Sequence, residues 1–132
     1  MYKKPAHSLA GFLRVCKGGK MRFTVSMKEN RDFRRAYSKG KPAVDALLAV
    51  YICKNRLGYS RLGITVGVKL GCAVVRNRVR RRIREAYRLE EPRIKPGYDL
   101  VVVARNRAAC ADYAQLHRSL LKALTRLGLY TA

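Results

Sequence analysis

The sequence predicts a single α/β domain in which strands and helices alternate along the chain. The chain has 132 residues, of which 48% are hydrophobic, and chains of this length and composition usually form one domain around one core. Apolar runs rich in strand-forming residues occur at 46–54, 61–68 and 98–105. Stretches with helical periodicity precede, separate and follow these runs. No internal repeat divides the chain.

The first 20 residues are predicted to be a mobile basic extension. They show no sustained periodicity and carry scattered glycines and lysines. The folded domain is therefore expected to span residues 21–132.

The first helix is predicted from its terminal residues. Ser26 and Glu29 have the spacing of a capping box, and Phe33 and Tyr37 follow at helical spacing. Gly40 is a typical residue to end a helix. A short helix is therefore expected between these two signals.

Three strands are predicted after this helix. Residues 46–54 are almost entirely apolar, so they are expected to form a mostly buried strand. Turn-forming residues separate them from the second strand at 61–68, which indicates a hairpin with a loop of several residues. Pro96 and Gly97 lead into the third strand at 98–105.

Two longer helices complete the prediction. The first covers about residues 72–91 and ends before Pro92. The terminal helix starts at Asp112 and Gln115, which again have capping-box spacing, and Gly128 closes it. Its apolar stripe consists of Tyr113, Leu116, Leu120, Leu121, Leu124 and Leu127.

The charge of the chain indicates a polyanionic partner. Lys and Arg number 30 and Asp and Glu number 8, which gives a formal net charge of +22. Self-repulsion at such a charge destabilises a compact state unless a polyanion is the normal partner. Nucleic acid is the first candidate, and an anionic membrane surface is the second.

The apolar stretches and the cysteines favour a cytoplasmic protein. The longest uncharged apolar stretch, residues 46–53, is far shorter than the roughly 20 residues that span a bilayer. The four cysteines are far apart, so they form no CxxC pair for zinc or redox chemistry, and reduced thiols are expected. They are Cys16, Cys53, Cys72 and Cys110.

The predicted helix at 72–91 has one apolar face and one cationic face. At about 100° per residue, the apolar face contains Val75, Val79, Ile83, Ala86 and Tyr87, and the opposite face contains Arg76, Asn77, Arg80, Arg81, Arg84 and Arg88. A solvated helix normally mixes charges of both signs. Here Glu85 is the only acid between Lys69 and Leu89, so a binding face is favoured over a solvated one.

These residues resemble the "RNR" signature of the bacterial ribonuclease P protein subunit. The signature residues are Lys69, Gly71, Ala73, Val74, Arg76, Asn77, Arg78, Arg80, Arg81 and Arg84. The resemblance extends over about residues 26–130. It includes Phe33, Tyr37 and Tyr51 and the strand sequences RLGITVGVK and PGYDLVVVAR.

The resemblance implies a two-layer α/β sandwich with one small mixed sheet and the element order αβββαβα. It also implies a left-handed βαβ crossover, although right-handed crossovers are the strong general rule. The family has three strands where the residues alone show two. Either the run at 46–54 contains a break, or residues 43–46 add a short strand.

The resemblance also implies that the chain is the protein cofactor of a catalytic RNA. The ribonuclease P RNA, with Mg²⁺ bound mainly by the RNA, would remove the 5′ leader of precursor tRNA. The chain itself has eight acids, which show no compact motif for paired metal ions, and neither His7 nor His117 lies near a nucleophile. No catalytic or metal-binding residue is therefore assigned to the protein, and no membrane or obligate protein partner is expected.

Two groups of residues are predicted to bind RNA. Guanidinium groups match phosphate oxygens, so the catalytic RNA is expected to contact Arg76, Asn77, Arg78, Arg80, Arg81, Arg84 and Arg88. The resemblance places the single-stranded leader in a cleft beside the first helix, where bases stack on aromatic rings without sequence preference. Its residues are Phe33, Tyr37 and Tyr51, with Arg61 and Lys69 holding phosphates. Core packing is the alternative for Phe33 and Tyr37.

Two positions depart from the family pattern. Many members have paired basic residues before the signature glycine, where this chain has Val68 and Lys69, so one phosphate contact is missing. Many also have Asn where this chain has Cys72, whose thiol is a soft donor.

Two other functions are considered. A ribosomal or other structural RNA-binding protein would have a similar composition, but it would not require Asn77 together with the aromatic pair. A protein that reads duplex DNA usually carries fewer arginines per helical turn and more Asn, Gln or Ser.

Overall fold

The computed structural model describes residues 24–130. The strands are β1 (Thr24–Ser26), β2 (Lys41–Val44), β3 (Leu48–Lys54), β4 (Ser60–Val66) and β5 (Tyr98–Ala104). The helices are α1 (Asn30–Lys39), α2 (Ala73–Glu90) and α3 (Tyr113–Arg126). Short 3₁₀ turns lie at Val68–Leu70, Glu91–Arg93 and Asn106–Cys110.

The five strands form one mixed sheet in the order β1-β4-β5-β3-β2. β1 and β5 each run parallel to β4, whereas β3 is antiparallel to both β5 and β2. The helix α2 connects the parallel neighbours β4 and β5, so the three elements form a βαβ unit. The left-handed sense of this crossover stays a prediction.

The two faces of the sheet carry different helices. Alternate residues of a strand point to opposite faces, and Leu100 and Val102 of β5 are fully buried in the main core with α2 and α3. Val101, between them, is fully buried in a smaller core with Ala36 of α1. The sheet with α2 and α3 therefore forms the predicted sandwich, and α1 adds a partial third layer.

The predicted start of the first helix is wrong. Ser26 ends β1, a strand that the sequence analysis did not include, and α1 begins at Asn30. Its N-cap residue is Glu29, which makes no side-chain capping hydrogen bond. Three residues are too few to show a periodic pattern, and they become a strand because they pair with residues 60–62 of β4.

The other predicted elements agree with the structure to within two residues at each boundary. The additional short strand is β2, which pairs antiparallel with β3, so the run at 46–54 contains no break. The capping box of α3 is confirmed. The Asp112 carboxylate accepts a hydrogen bond from the Gln115 N–H at 2.8 Å, and the Gln115 side-chain oxygen accepts one from the Asp112 N–H at 3.0 Å.

The predicted basic extension, residues 1–20, lies outside the described residues, as do residues 21–23. None of the described helices is long and apolar enough to cross a membrane.

Candidate nucleic-acid interface

One side of α2 anchors the helix, and the other side is cationic. Val79, Ile83 and Ala86 are completely buried against the sheet and α3, and Tyr87 is 1% exposed. Val75, which was predicted on the same face, is only partly buried. The predicted arginine face is therefore held in place by the packing of the opposite side.

The signature arginines have no acidic partner in the part of the chain that the structure describes. Within residues 24–130, no carboxylate lies within 4 Å of the guanidinium groups of Arg76, Arg78, Arg80, Arg81 and Arg84. Arg80 donates a hydrogen bond to the Asn77 side-chain oxygen at 2.9 Å, which orients both residues on one surface. Unpaired guanidinium groups on one surface form a site for a phosphate backbone.

Two arginines of α2 are engaged by the protein itself. Arg88 binds both carboxylate oxygens of Glu85, and this contact raises the pKa of Arg88 and lowers that of Glu85. Arg82 donates to the Ala111 carbonyl at 2.8 Å and thereby links α2 to the segment before α3. A phosphate must compete with Glu85 for Arg88, so Arg88 is the weakest member of the predicted set.

Tyr37 and Tyr51 form an aromatic pair on the sheet face that α1 partly covers. Their ring centroids are 5.2 Å apart and the rings are nearly perpendicular. The Tyr37 hydroxyl lies 3.0 Å from the Thr65 hydroxyl of β4. Tyr37 is 40% exposed and Tyr51 is half-buried, so the pair offers ring surface to solvent, as a base-stacking site requires.

Thr65 is a residue of this site that the sequence analysis missed. Arg61, Gly63 and Thr65 are every second residue of β4, so strand periodicity places all three on the sheet face that α1 covers. That signal was available in the sequence.

Phe33, one helical turn before Tyr37 on α1, has a packing role. It contacts the smaller core of Met27, Ala36 and Val101. A Cβ atom at Gly63 would lie 2.5 Å from its ring, so the ring rests directly on the backbone of β4. Phe33 is partly buried, and the core-packing alternative holds for most of its surface.

Arg61 belongs to a buried ion-pair network. It donates to both carboxylate oxygens of Asp99, at 2.8 and 2.7 Å, and to Asp32 at 3.0 Å. Arg35 donates to Asp99 at 2.8 Å and Asn55 does so at 2.9 Å. All three nitrogens of the Arg61 guanidinium already donate to carboxylates, so this position favours a structural role over the predicted phosphate contact.

The network sets the charge of its central carboxylate. Asp99 is completely buried, and burial opposes its ionisation. The hydrogen bonds from Arg61, Asn55 and Arg35 outweigh burial and lower the pKa of Asp99. The pKa of Arg61 is raised by its hydrogen bond to Asp99. Asp99 and Arg61 are therefore ionised at neutral pH, and the contacts of Asp32 and Arg35 with them fasten α1 to the sheet.

Lys69 lies along the chain between Thr65 of β4 and the arginines of α2. It is exposed in the 3₁₀ turn that joins β4 to α2, and no carboxylate among the described residues pairs with it. Its neighbour Val68 is 77% exposed, so the cation that many family members have there is replaced by an exposed apolar side chain.

The one histidine of the described residues has a structural contact. His117 lies 3.0 Å from Glu90, which also accepts a hydrogen bond from the Tyr130 hydroxyl at 2.8 Å. Across residues 24–130, no three His, Cys, Asp or Glu side chains come together as metal ligands would. The donor set therefore does not fit a protein-bound Mg²⁺ ion.

Comparisons with known proteins relate this chain to one protein family. A family profile described as Ribonuclease P matches residues 21–128. The chain is 44% identical over 105 residues to the "Ribonuclease P protein component" of Clostridium botulinum, which covers 79% of this chain and 95% of that protein. A protein of the same name from Clostridioides difficile is 44% identical, with 78% and 91% covered.

Solved structures show the same fold. The RNase P protein of Staphylococcus aureus is 36% identical and superposes with a TM-score of 0.75 over 80% of this chain and 96% of that chain. The RNase P protein of Thermotoga maritima is 33% identical, with a TM-score of 0.71 over 76% and 96%.

Proposed function

Because this chain belongs to the ribonuclease P protein family, we propose that it is the protein component of a bacterial ribonuclease P and binds the RNA subunit through α2. The observation that carries this proposal is the cluster of five guanidinium groups, without acidic partners among residues 24–130, on a helix whose other side is buried. The family match favours this function over a structural scaffold of ribosomal type. A ribonucleoprotein that processes tRNA acts where tRNA is made, which in bacteria is the cytoplasm.

The substrate proposed for this ribonucleoprotein is precursor tRNA. The leader would contact Tyr37 and Tyr51, whose rings accept different bases because every base has a π-face. Lys69 would hold a leader phosphate at the junction with the arginine face. Mg²⁺ is assigned to the RNA subunit, because the described part of the protein offers no cluster of ligands for it.

Cleavage is expected to depend on the RNA subunit. The purified chain with Mg²⁺ should leave precursor tRNA intact, and adding a bacterial ribonuclease P RNA should give cleavage at the mature 5′ end. The assay compares the two reactions by gel electrophoresis at equal protein and Mg²⁺ concentrations. Cleavage at that position by RNA-free protein would contradict the cofactor role.

The aromatic pair is expected to recognise the leader. Tyr37→Ala removes one stacking ring and should weaken binding of leader-bearing precursor tRNA to the assembled enzyme about 5- to 150-fold, from roughly 1–3 kcal/mol per stacked base. Mature tRNA, which has no leader, should bind the variant and the parent alike. Affinities are measured with the reconstituted ribonucleoprotein.

Tyr37→Phe is the matched control, because it keeps the ring and removes only the hydroxyl that contacts Thr65. It should retain most of the discrimination between precursor and mature tRNA. Equal discrimination by Tyr37→Ala and the parent would assign Tyr37 to packing alone.

A further inference from the structure

A small cavity lies where β1, α1 and α2 meet. Its volume is about 110 Å³. Met27, Phe33 and Ile64 form apolar walls, and Ser26, Arg80 and Arg84 form the polar side. The cavity therefore combines an aromatic surface with two cations of the arginine face.

The edge of β4 is unpaired beside this cavity. β1 pairs with β4 only from Ser60 to Leu62, and the Met27 N–H then donates to the Leu62 carbonyl at 2.8 Å. Alternate residues of a strand direct their backbone groups to the same side, so the N–H and C=O of Ile64 also point to this edge. Among the strands of the described chain, none pairs with the edge beyond β1. Ile64 thus presents a donor and an acceptor at the cavity.

These features match the chemistry of a single nucleobase. The hydrogen-bonding edge of a base carries a donor beside an acceptor, which the backbone groups of Ile64 complement. An apolar cavity of about 150 Å³ holds a benzene ring, so an open cavity of 110 Å³ admits much of one base ring. Phe33 offers a stacking surface, and Arg80 and Arg84 are placed for the phosphates on either side.

We propose that this cavity binds one unstacked base of the ribonuclease P RNA. The inference rests on the proposed function, because it requires the RNA to lie on the arginine face. It also gives the partly exposed side of Phe33 a role distinct from leader stacking. The Tyr37–Tyr51 pair remains a separate site on the sheet face beneath α1.

The test fills the cavity without removing a cation. Ser26 is exposed, and Ser26→Phe places a ring where the base would enter. The matched control is Val25→Phe, because Val25 is the adjacent exposed residue of β1 and points to the other face of the sheet. Circular dichroism establishes that both variants fold, and Ser26→Leu serves as a smaller filling variant if Ser26→Phe does not.

Affinity for a bacterial ribonuclease P RNA is measured over a KCl series. The filling variant should bind about tenfold more weakly than the parent, as expected for one lost stacking contact, with an unchanged salt slope because Arg80 and Arg84 remain. Val25→Phe should bind like the parent. If the folded filling variant binds the RNA as tightly as the parent does, or if its salt slope is reduced, the proposal that the cavity binds a base is wrong.

Chemical probing of the RNA identifies the base directly, with dimethyl sulfate for unpaired A and C and a carbodiimide for unpaired U and G. One unpaired base should be protected in the parent complex and become reactive with Ser26→Phe, while other protections persist. Protection that changes only in the leader of precursor tRNA would overturn the assignment to the catalytic RNA. A parent protein that does not bind the RNA at all would contradict the proposed function itself, whereas a parent that binds without this protection contradicts only the pocket.

Discussion

Replacing Arg80 and Arg84 together with alanine is expected to weaken binding to ribonuclease P RNA by at least about 100-fold at low salt. Each hydrogen bond to a charged group contributes about 1.5–3 kcal/mol, and neither guanidinium has an acidic partner in the described chain that would reduce its availability. The slope of log affinity against log KCl should fall by about 0.9 for each lost phosphate contact. Equilibrium binding at several KCl concentrations measures both quantities.

The control for this variant is Arg118→Ala with Lys122→Ala. These residues are exposed on α3 and have the same spacing of four residues, so the control removes the same net charge from a different surface. Its affinity should stay within a few-fold of the parent. Equal losses in the two double variants would mean that net charge, rather than the face of α2, determines binding.

Asp99→Ala is expected to lower the free energy of unfolding by about 3–5 kcal/mol, the usual effect of removing one partner of a buried ion pair. The variant leaves Arg61, which is 20% exposed in its side chain, without its main acceptor, and it removes the contact of Arg35 as well. Urea denaturation followed by circular dichroism at pH 7 measures the change. Because the network fastens α1 to the sheet, the Tyr37–Tyr51 pair should also loosen.

Glu29→Ala is the matched control on α1. Glu29 forms an ion pair with Arg31 at 2.6 Å, but both side chains are more than half exposed, and such pairs contribute about 0–1 kcal/mol. If Glu29→Ala lowers the free energy of unfolding as much as Asp99→Ala does, burial is not the reason for the large effect of Asp99.

The effect of Asp99 should depend on pH in a defined direction. Its pKa is lowered in the folded protein, so its stabilising contribution is present above the unfolded pKa of about 3.9 and is lost as the pH falls through the folded pKa. The stability difference between the parent and Asp99→Ala should therefore be full at pH 7 and shrink below about pH 4. A difference that grows on acidification would contradict the ion-pair account.

The arginine face could be predicted because helical periodicity alone separates it from the buried side. Val79 and Ile83 recur at the spacing of one face, so the arginines between them point away from the core. The long strands could be predicted for a similar reason, since their apolar runs are continuous.

Contacts between distant segments could not be predicted in this way. Arg61 and Asp99 are 38 residues apart and meet only because β4 and β5 are parallel with those two residues in register. The sequence shows that Arg61 is a cation, but it does not show that the Asp99 carboxylate accepts its hydrogen bonds. Likewise, Phe33 rests on Gly63 because the tertiary fold places α1 against β4. Helical spacing within α1 gives no information about that contact.

The arginine face of α2 has a consequence for the helix itself. The aligned peptide dipoles place partial positive charge at the start of a helix and partial negative charge at its end. α2 has no acid in its first turn and arginines follow from Arg76 onwards, whereas its last turn holds both Arg88 and Glu90, so its charges oppose the dipole at its start. Its local sequence therefore favours fraying, and the packing of its buried side maintains it. A phosphate near its first turns would supply the missing negative charge, so RNA would stabilise the helix that binds it.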